Sequence, residues 1–154
     1  MEIAIAPVNK TQEPPVANTA FWPAIDLEQY RAAMRQDGTL TPVRVREAAL
    51  NAMHEVNARL AVWRQAQESA GYLALDAVPA ERLDGESLHV QRYRCAVFCL
   101  MQASLTERFR SIEATGMGQR RAETLDSTVD DLRRDASWAI NAIQGRPRMT
   151  IALI

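Results

Sequence analysis

Seven apolar residues stand in succession at Cys95-Ala-Val-Phe-Cys-Leu-Met101, and this run constrains the fold more than any other feature. Wound on a helix, Val90, Tyr93, Val97, Phe98, Leu100, Met101, Leu105, Phe109 and Ile112 cover about half the circumference. A helix apolar over that much of its surface has to be covered by more than one neighbour. No apolar run approaches the roughly 20 residues of a membrane span, so the covering elements must come from the chain itself. The spacing predicts a central helix opening at Asp84-Gly85-Glu86-Ser87 and running to about Ala114.

Two further long helices are available to cover it. Thr41–Gln67 begins with Thr41 as N-cap and Pro42 at the first helical position, where a missing N–H costs nothing. Val45, Ala49, Met53, Val56, Leu60 and Trp63 then recur at steps of three or four, one stripe of an amphipathic helix. Gln119–Ile143 repeats the pattern with Leu125, Val129, Leu132, Ala136, Ile140 and Ile143, and Gly145 and Pro147 close it. A short helix, Leu27–Arg35, is capped by Asp26 and presents Leu27, Tyr30 and Met34 on one face. Just before it, Phe21 and Trp22 are expected to plug the core. Between Gly71 and Gly85, Pro79 and the lack of any period predict a surface loop anchored by Leu73, Leu75 and Val78. The expected fold class is all-α: a small bundle of one short and three long helices, residues 21–145, with extended arms at either end.

The arms are residues 1–20 and 146–154. Pro7, Pro14 and Pro15 break any helix in the first, leaving Ile3–Val8, with Ile3 and Ile5, as a short apolar segment able to pair as a strand. The second ends in Met149-Thr-Ile-Ala-Leu-Ile154, β-branched or apolar and too short for a helix, and reads as a β-strand. A lone strand beside a helical bundle satisfies its backbone by joining another chain. Met149, Thr150, Ile151, Leu153 and Ile154 are therefore candidate docking residues, with Ile3 and Ile5. Trp138 joins them because it falls on the polar side of its helix, beside Arg134 and Asn141. There it is either covered by a chain terminus or exposed for a partner.

Site chemistry is sparse. Of 154 residues, 47% are hydrophobic and 24% charged, and the net charge of −1 argues against an overall polyphosphate binder. The two cysteines imply no disulfide framework and suit a reducing cytoplasm. MEIAIAPVNK lacks the basic start of a secretory signal. Cys95 and Cys99 lie in the apolar run, where cysteine behaves as a small hydrophobe; with only His54 and His89 besides, no metal site is expected. Asp126, Asp130, Asp131 and Asp135 alternate with Arg133 and Arg134 as an ion-paired, solvated face does. Neither a catalytic set nor a cofactor site is expected. Gly116-Met-Gly118-Gln-Arg120-Arg121 lacks the ending and the preceding strand of a phosphate loop. It reads as a basic turn, with Arg120 and Arg121 as candidates to face nucleic acid.

Phe21-Trp-Pro-Ala-Ile-Asp26, Met34-Arg-Gln-Asp-Gly-Thr-Leu-Thr-Pro-Val-Arg-Val-Arg46, Val56-Asn57, Asp84-Gly-Glu-Ser87, Tyr93-Arg94, Ala114-Thr-Gly116 and Asp130-Asp-Leu-Arg-Arg-Asp-Ala136 with Trp138-Ala-Ile140 together carry a resemblance. Over about residues 21–154 the chain resembles the head completion protein (gpL) family of temperate contractile-tailed bacteriophages. The resemblance implies a non-enzymatic head–tail connector, an adaptor docking beneath the portal ring after DNA packaging. Its implied partners are the portal protein, neighbouring copies in a ring, commonly of twelve, and a downstream tail-completion or neck protein. Packaged DNA would pass through the ring without sequence-specific binding. The implied location is the head–tail junction of the virion, with the host cytoplasm as the site of assembly. The rival expectation is a small helical regulatory or nucleic-acid-binding module using Arg44, Arg46, Arg120 and Arg121.

Overall fold

The computed structural model describes residues 12–35, 40–113 and 119–148, excluding the side chains of 109–113 and 119–127. Within these residues it is an all-α bundle: α1 (Leu27–Ala33), α2 (Pro42–Arg59), α3 (Ala61–Ser69), α4 (Leu88–Glu113) and α5 (Gln119–Ile143), with one small hairpin. No helix among the described residues is long and apolar enough to cross a membrane.

The central position of α4 follows from its sequence. Tyr93, Ala96, Val97, Phe98, Cys99, Leu100, Met101 and Leu105 are all buried, and the helix packs along both α2 and α5. From α2 the stripe Val45, Ala49, Met53 and Val56 faces it; from α5, Ala136, Ile140 and Ile143 do. Asp26 caps α1 by accepting from the N–H groups of Glu28 and Gln29, and Thr41 caps α2 by accepting from Arg44. α1 ends two residues before the expected Arg35, in a turn where Arg35 has φ 51°.

The helix expected over Thr41–Gln67 is two. Leu60, at φ −101° and ψ 6°, breaks it in the sparsely allowed bridge region. No proline or glycine causes the break. Leu60 is fully buried, and the bend places Trp63 of α3 against the core aromatics. Trp63 lies 6.4 Å from Trp22, which stacks 4.9 Å from Tyr93, and Phe21 meets Trp22 edge-on at 4.7 Å. Phe21 and Trp22 thus plug the core as expected.

The start expected for the central helix is instead a hairpin, β1 (Arg82–Leu83) and β2 (Glu86–Ser87), paired antiparallel. Asp84 and Gly85 form its two-residue loop, and both have the positive φ that such a loop demands, 53° and 74°. Arg94 clamps the hairpin to α4 with two hydrogen bonds to Glu86, at 3.0 and 2.5 Å. That pairing holds the Glu86 carboxyl below its ordinary value. Leu75 and Val78 anchor the preceding loop as expected, but Leu73 is 75% exposed and anchors nothing.

Val16 and Asn18, placed in the expected N-terminal arm, are packed into the bundle. Val16 is buried and exchanges two backbone hydrogen bonds with Ile25. Asn18 closes a ring of side-chain hydrogen bonds with Asn57 and Tyr93. Ile3–Val8 and Met149–Ile154, the expected strands, lie outside the described residues.

Candidate functional site

Trp138 is the docking candidate whose surroundings the structure describes. Its position on α5, off the stripe made by Val129, Ala136, Ile140 and Ile143, leaves it half-buried. Two guanidiniums lie over its ring, Arg134 at 4.6 Å and Arg148 at 4.4 Å. Arg134 is one helical turn earlier and also pairs with Asp131 and Asp135, at 3.0 and 3.2 Å. Arg148 arrives by a chain reversal. Gly145 takes φ 72° after the end of α5, its N–H bonds the Ala142 carbonyl, and the Arg146 N–H bonds the Asn141 carbonyl. These two bonds make a Schellman turn, for which glycine is the favoured residue. Arg148, where the chain leaves the bundle, thus lies over a ring that is itself half-buried.

Beside Trp138 the outer seam of α4 and α5 opens into a groove of about 480 Å³. Gln91, Arg92, Cys95 and Cys99 form one wall, Asp135, Trp138, Ala139 and Ala142 the other, and Arg148 stands at the rim. The two cysteines differ. Cys99 is buried and behaves as the small hydrophobe expected; Cys95 is exposed on the groove, because a fully apolar run still turns one side of its helix outward. A hydrogen bond from the Cys99 thiol draws Cys95 down to about 7, while the same contact and burial push Cys99 up.

A second groove of about 420 Å³ separates α2, α4 and α5. Its charges are satisfied internally: Arg133 pairs with Glu107 at 2.6 Å, and Arg59 donates to Ser137 at 3.2 Å. No three His, Cys, Asp or Glu side chains converge among the described residues. His54 is exposed. His89 is half-buried edge-on to Trp63 at 5.5 Å and hydrogen-bonds the backbone of Pro79, and burial lowers its pKa. Its Nδ1 is buried without a partner.

The other candidates are placed only in part. Arg120 and Arg121 lie in the first turn of α5, with side chains outside the described residues, as are Ile3, Ile5, Met149, Thr150, Ile151, Leu153 and Ile154 entirely. Arg46 donates to the Pro14 carbonyl at 3.2 Å, so it serves the N-terminal segment. Sequence reasoning passed over an exposed apolar edge on α2: Val43 and Leu50 are 76% and 52% exposed, and seven residues apart they share one helix face. Their position off the buried stripe was the available signal.

Residues 16–154 match the model of the phage head completion protein (GPL) family. The chain is also 41% identical over 150 residues to the head completion/stabilization protein of Escherichia phage P2, covering 97% of this chain and 89% of that relative. No solved structure matches it.

Proposed function

The chain belongs to the phage head completion protein (GPL) family, and from that premise we propose that it is a connector subunit at the head–tail junction. Its function is head completion and stabilization, as a structural component of the phage virion; the family is not a class of enzyme. In our reading, copies form a ring beneath the portal once DNA is packaged, and the ring is the platform for the tail-completion or neck protein. The segments at Ile3–Val8 and Met149–Ile154 are its docking arms. Before assembly the subunit occupies the host cytoplasm.

The observation that carries this reading is Trp138. A tryptophan half-exposed on a polar helix face, beside the point where the chain leaves the bundle, is the kind of anchor interfaces use. The exposed edge of Val43 and Leu50 offers further apolar contact for a neighbouring copy. A net charge of −1 suits a channel through which DNA must slide, since a strongly basic lumen would hold the phosphates.

The test is incorporation. A chain ending at Arg148 should keep its helical circular dichroism yet fail to enter heads that lack the wild-type protein. Unchanged portal binding by the shortened chain would overturn the docking role. A gel shift across salt concentrations tests the rival: retention of free duplex at physiological salt would favour a DNA-binding module.

A further inference from the structure

The groove along the seam of α4 and α5 holds an exposed thiol, Cys95, together with two guanidiniums, Arg92 on the same wall and Arg148 at the rim. We propose that Cys95 is a modification site that exchanges with small disulfides carrying carboxylates, and keeps the anionic half as a mixed disulfide against Arg92 and Arg148. The site belongs to the free subunit and does not depend on the connector reading.

Cys99 lies one helical turn beyond Cys95, and the hydrogen bond from its thiol draws Cys95 down to about 7, with burial and Asp135 acting against the shift. A thiol that titrates near ambient pH is the best attacking group in disulfide exchange. Cys99 cannot then undo the product. Residues four apart on a helix hold their Cβ atoms about 5–6 Å apart, whereas a disulfide needs about 3.5–4.5 Å. An intact α4 thus activates Cys95 without letting the two sulfurs join. The groove supplies the room and the charge. At about 480 Å³ it falls within the roughly 300–1,000 Å³ of small-molecule sites. Arg92 spends one N–H on the Ala142 carbonyl at 3.4 Å and Arg148 lays its face over Trp138, so each has further N–H groups for a carboxylate. Asp135, the groove's own carboxylate, pairs with Arg134 at 3.2 Å.

In the exchange the Cys95 thiolate attacks one sulfur of the disulfide. A bond from Cys95 to that sulfur forms as the reagent's own S–S bond breaks. The other half leaves as a thiolate and recovers the proton that Cys95 gave up. The disulfide is itself the oxidant, and a reducing cytoplasm runs the exchange backwards and keeps the thiol free.

The test incubates the full chain with oxidised glutathione or with the uncharged hydroxyethyl disulfide, followed by intact mass and peptide mapping. One glutathionyl group per chain should appear, on Cys95 alone, and none in Cys95→Ser. Arg92→Gln/Arg148→Gln should react roughly fivefold slower with oxidised glutathione and at an unchanged rate with hydroxyethyl disulfide. Cys99→Ala should slow both reagents alike. An internal Cys95–Cys99 disulfide, modification of Cys99, or a wild-type rate with oxidised glutathione in the double arginine variant would overturn the proposal. If that variant loses its helical spectrum, Arg148→Gln alone, exposed at the rim, decides.

Discussion

Tyr93→Phe takes one oxygen out of the middle of the molecule and leaves the ring in place. Tyr93 is fully buried and stacks on Trp22, so the substitution leaves no cavity. Its hydroxyl accepts from Asn18 Nδ2 at 2.8 Å and donates to Asn57 Oδ1 at 2.6 Å. Asn57 Nδ2 donates back to Asn18 Oδ1 at 3.0 Å, which closes the ring. Removing the hydroxyl costs two hydrogen bonds at about 1 kcal/mol each. It also leaves Asn57 Oδ1 without its donor, whereas Asn18 Nδ2 keeps the Pro23 carbonyl at 2.9 Å. An unpaired acceptor at this part-buried site adds up to about 1 kcal/mol, for an expected loss of about 2–3 kcal/mol. In a domain of this size that lowers Tm by roughly 4–12 °C. Urea unfolding followed by circular dichroism measures the loss. Amide exchange at Val16 and Ile25, which bond each other at 2.8 and 3.0 Å, should accelerate selectively because Asn18 adjoins that bridge. A loss under about 0.5 kcal/mol, with exchange at those amides unchanged, would refute the claim that the ring fixes the N-terminal segment.

Trp138→Ala should weaken assembly into heads while keeping the helical spectrum. Its two cation–π contacts are worth about 0.5–1 kcal/mol each at exposed sites, so loss of folding would mean that the ring belongs to the core. His89 should make stability depend on pH. Burial against Trp63 depresses its pKa, and the charge of Arg92 acts in the same direction. As pH falls through about 6.5 the unfolded chain takes up a proton first, so stability is full above that value and declines below it, by at most about 1.4 kcal/mol per pH unit. The decline stops once the folded state protonates too. Urea unfolding across that range should show His89→Phe with a flatter profile. Thr41→Ala removes the acceptor for the Arg44 N–H, a long bond of 3.4 Å, and should cost about 0.5–1 kcal/mol in the same assay.

Helix content and the core were legible because both follow from local periodicity. Tyr93, Val97 and Met101 of α4 and the stripe Val45 to Leu60 are buried where their spacing places them. Leu60 shows the limit of that reading. Stepping from Leu60 to Trp63 preserves the period whether or not the backbone breaks between them, so the pattern cannot register the bend. The hairpin was missed for another reason. Arg82, Leu83, Glu86 and Ser87 carry no alternation of apolar and polar residues, and Asp84-Gly85 serves equally as a helix start or as a tight turn. Leu73 is exposed because hydrophobicity in a loop says nothing of which way the chain faces. At the candidate site, Trp138 was legible as an aromatic off its stripe, and Arg134 as its neighbour one turn away. Arg148 was not, since its return depends on the geometry of the Gly145 turn.

The ring of Asn18, Asn57 and Tyr93 joins positions as much as 75 residues apart, and that separation orders events in time. Synthesis releases the N-terminal segment early, yet its partner Tyr93 emerges only after more than half of the chain. Until then Phe21 and Trp22 have no stacked neighbours from α4 and remain open to unwanted contacts. α4 and α5, adjacent in sequence and packed together, can pair as soon as both are made. The N-terminal segment thus waits for α4 before it is fastened, and nascent chains stalled before α4 should be the species that a host chaperone captures.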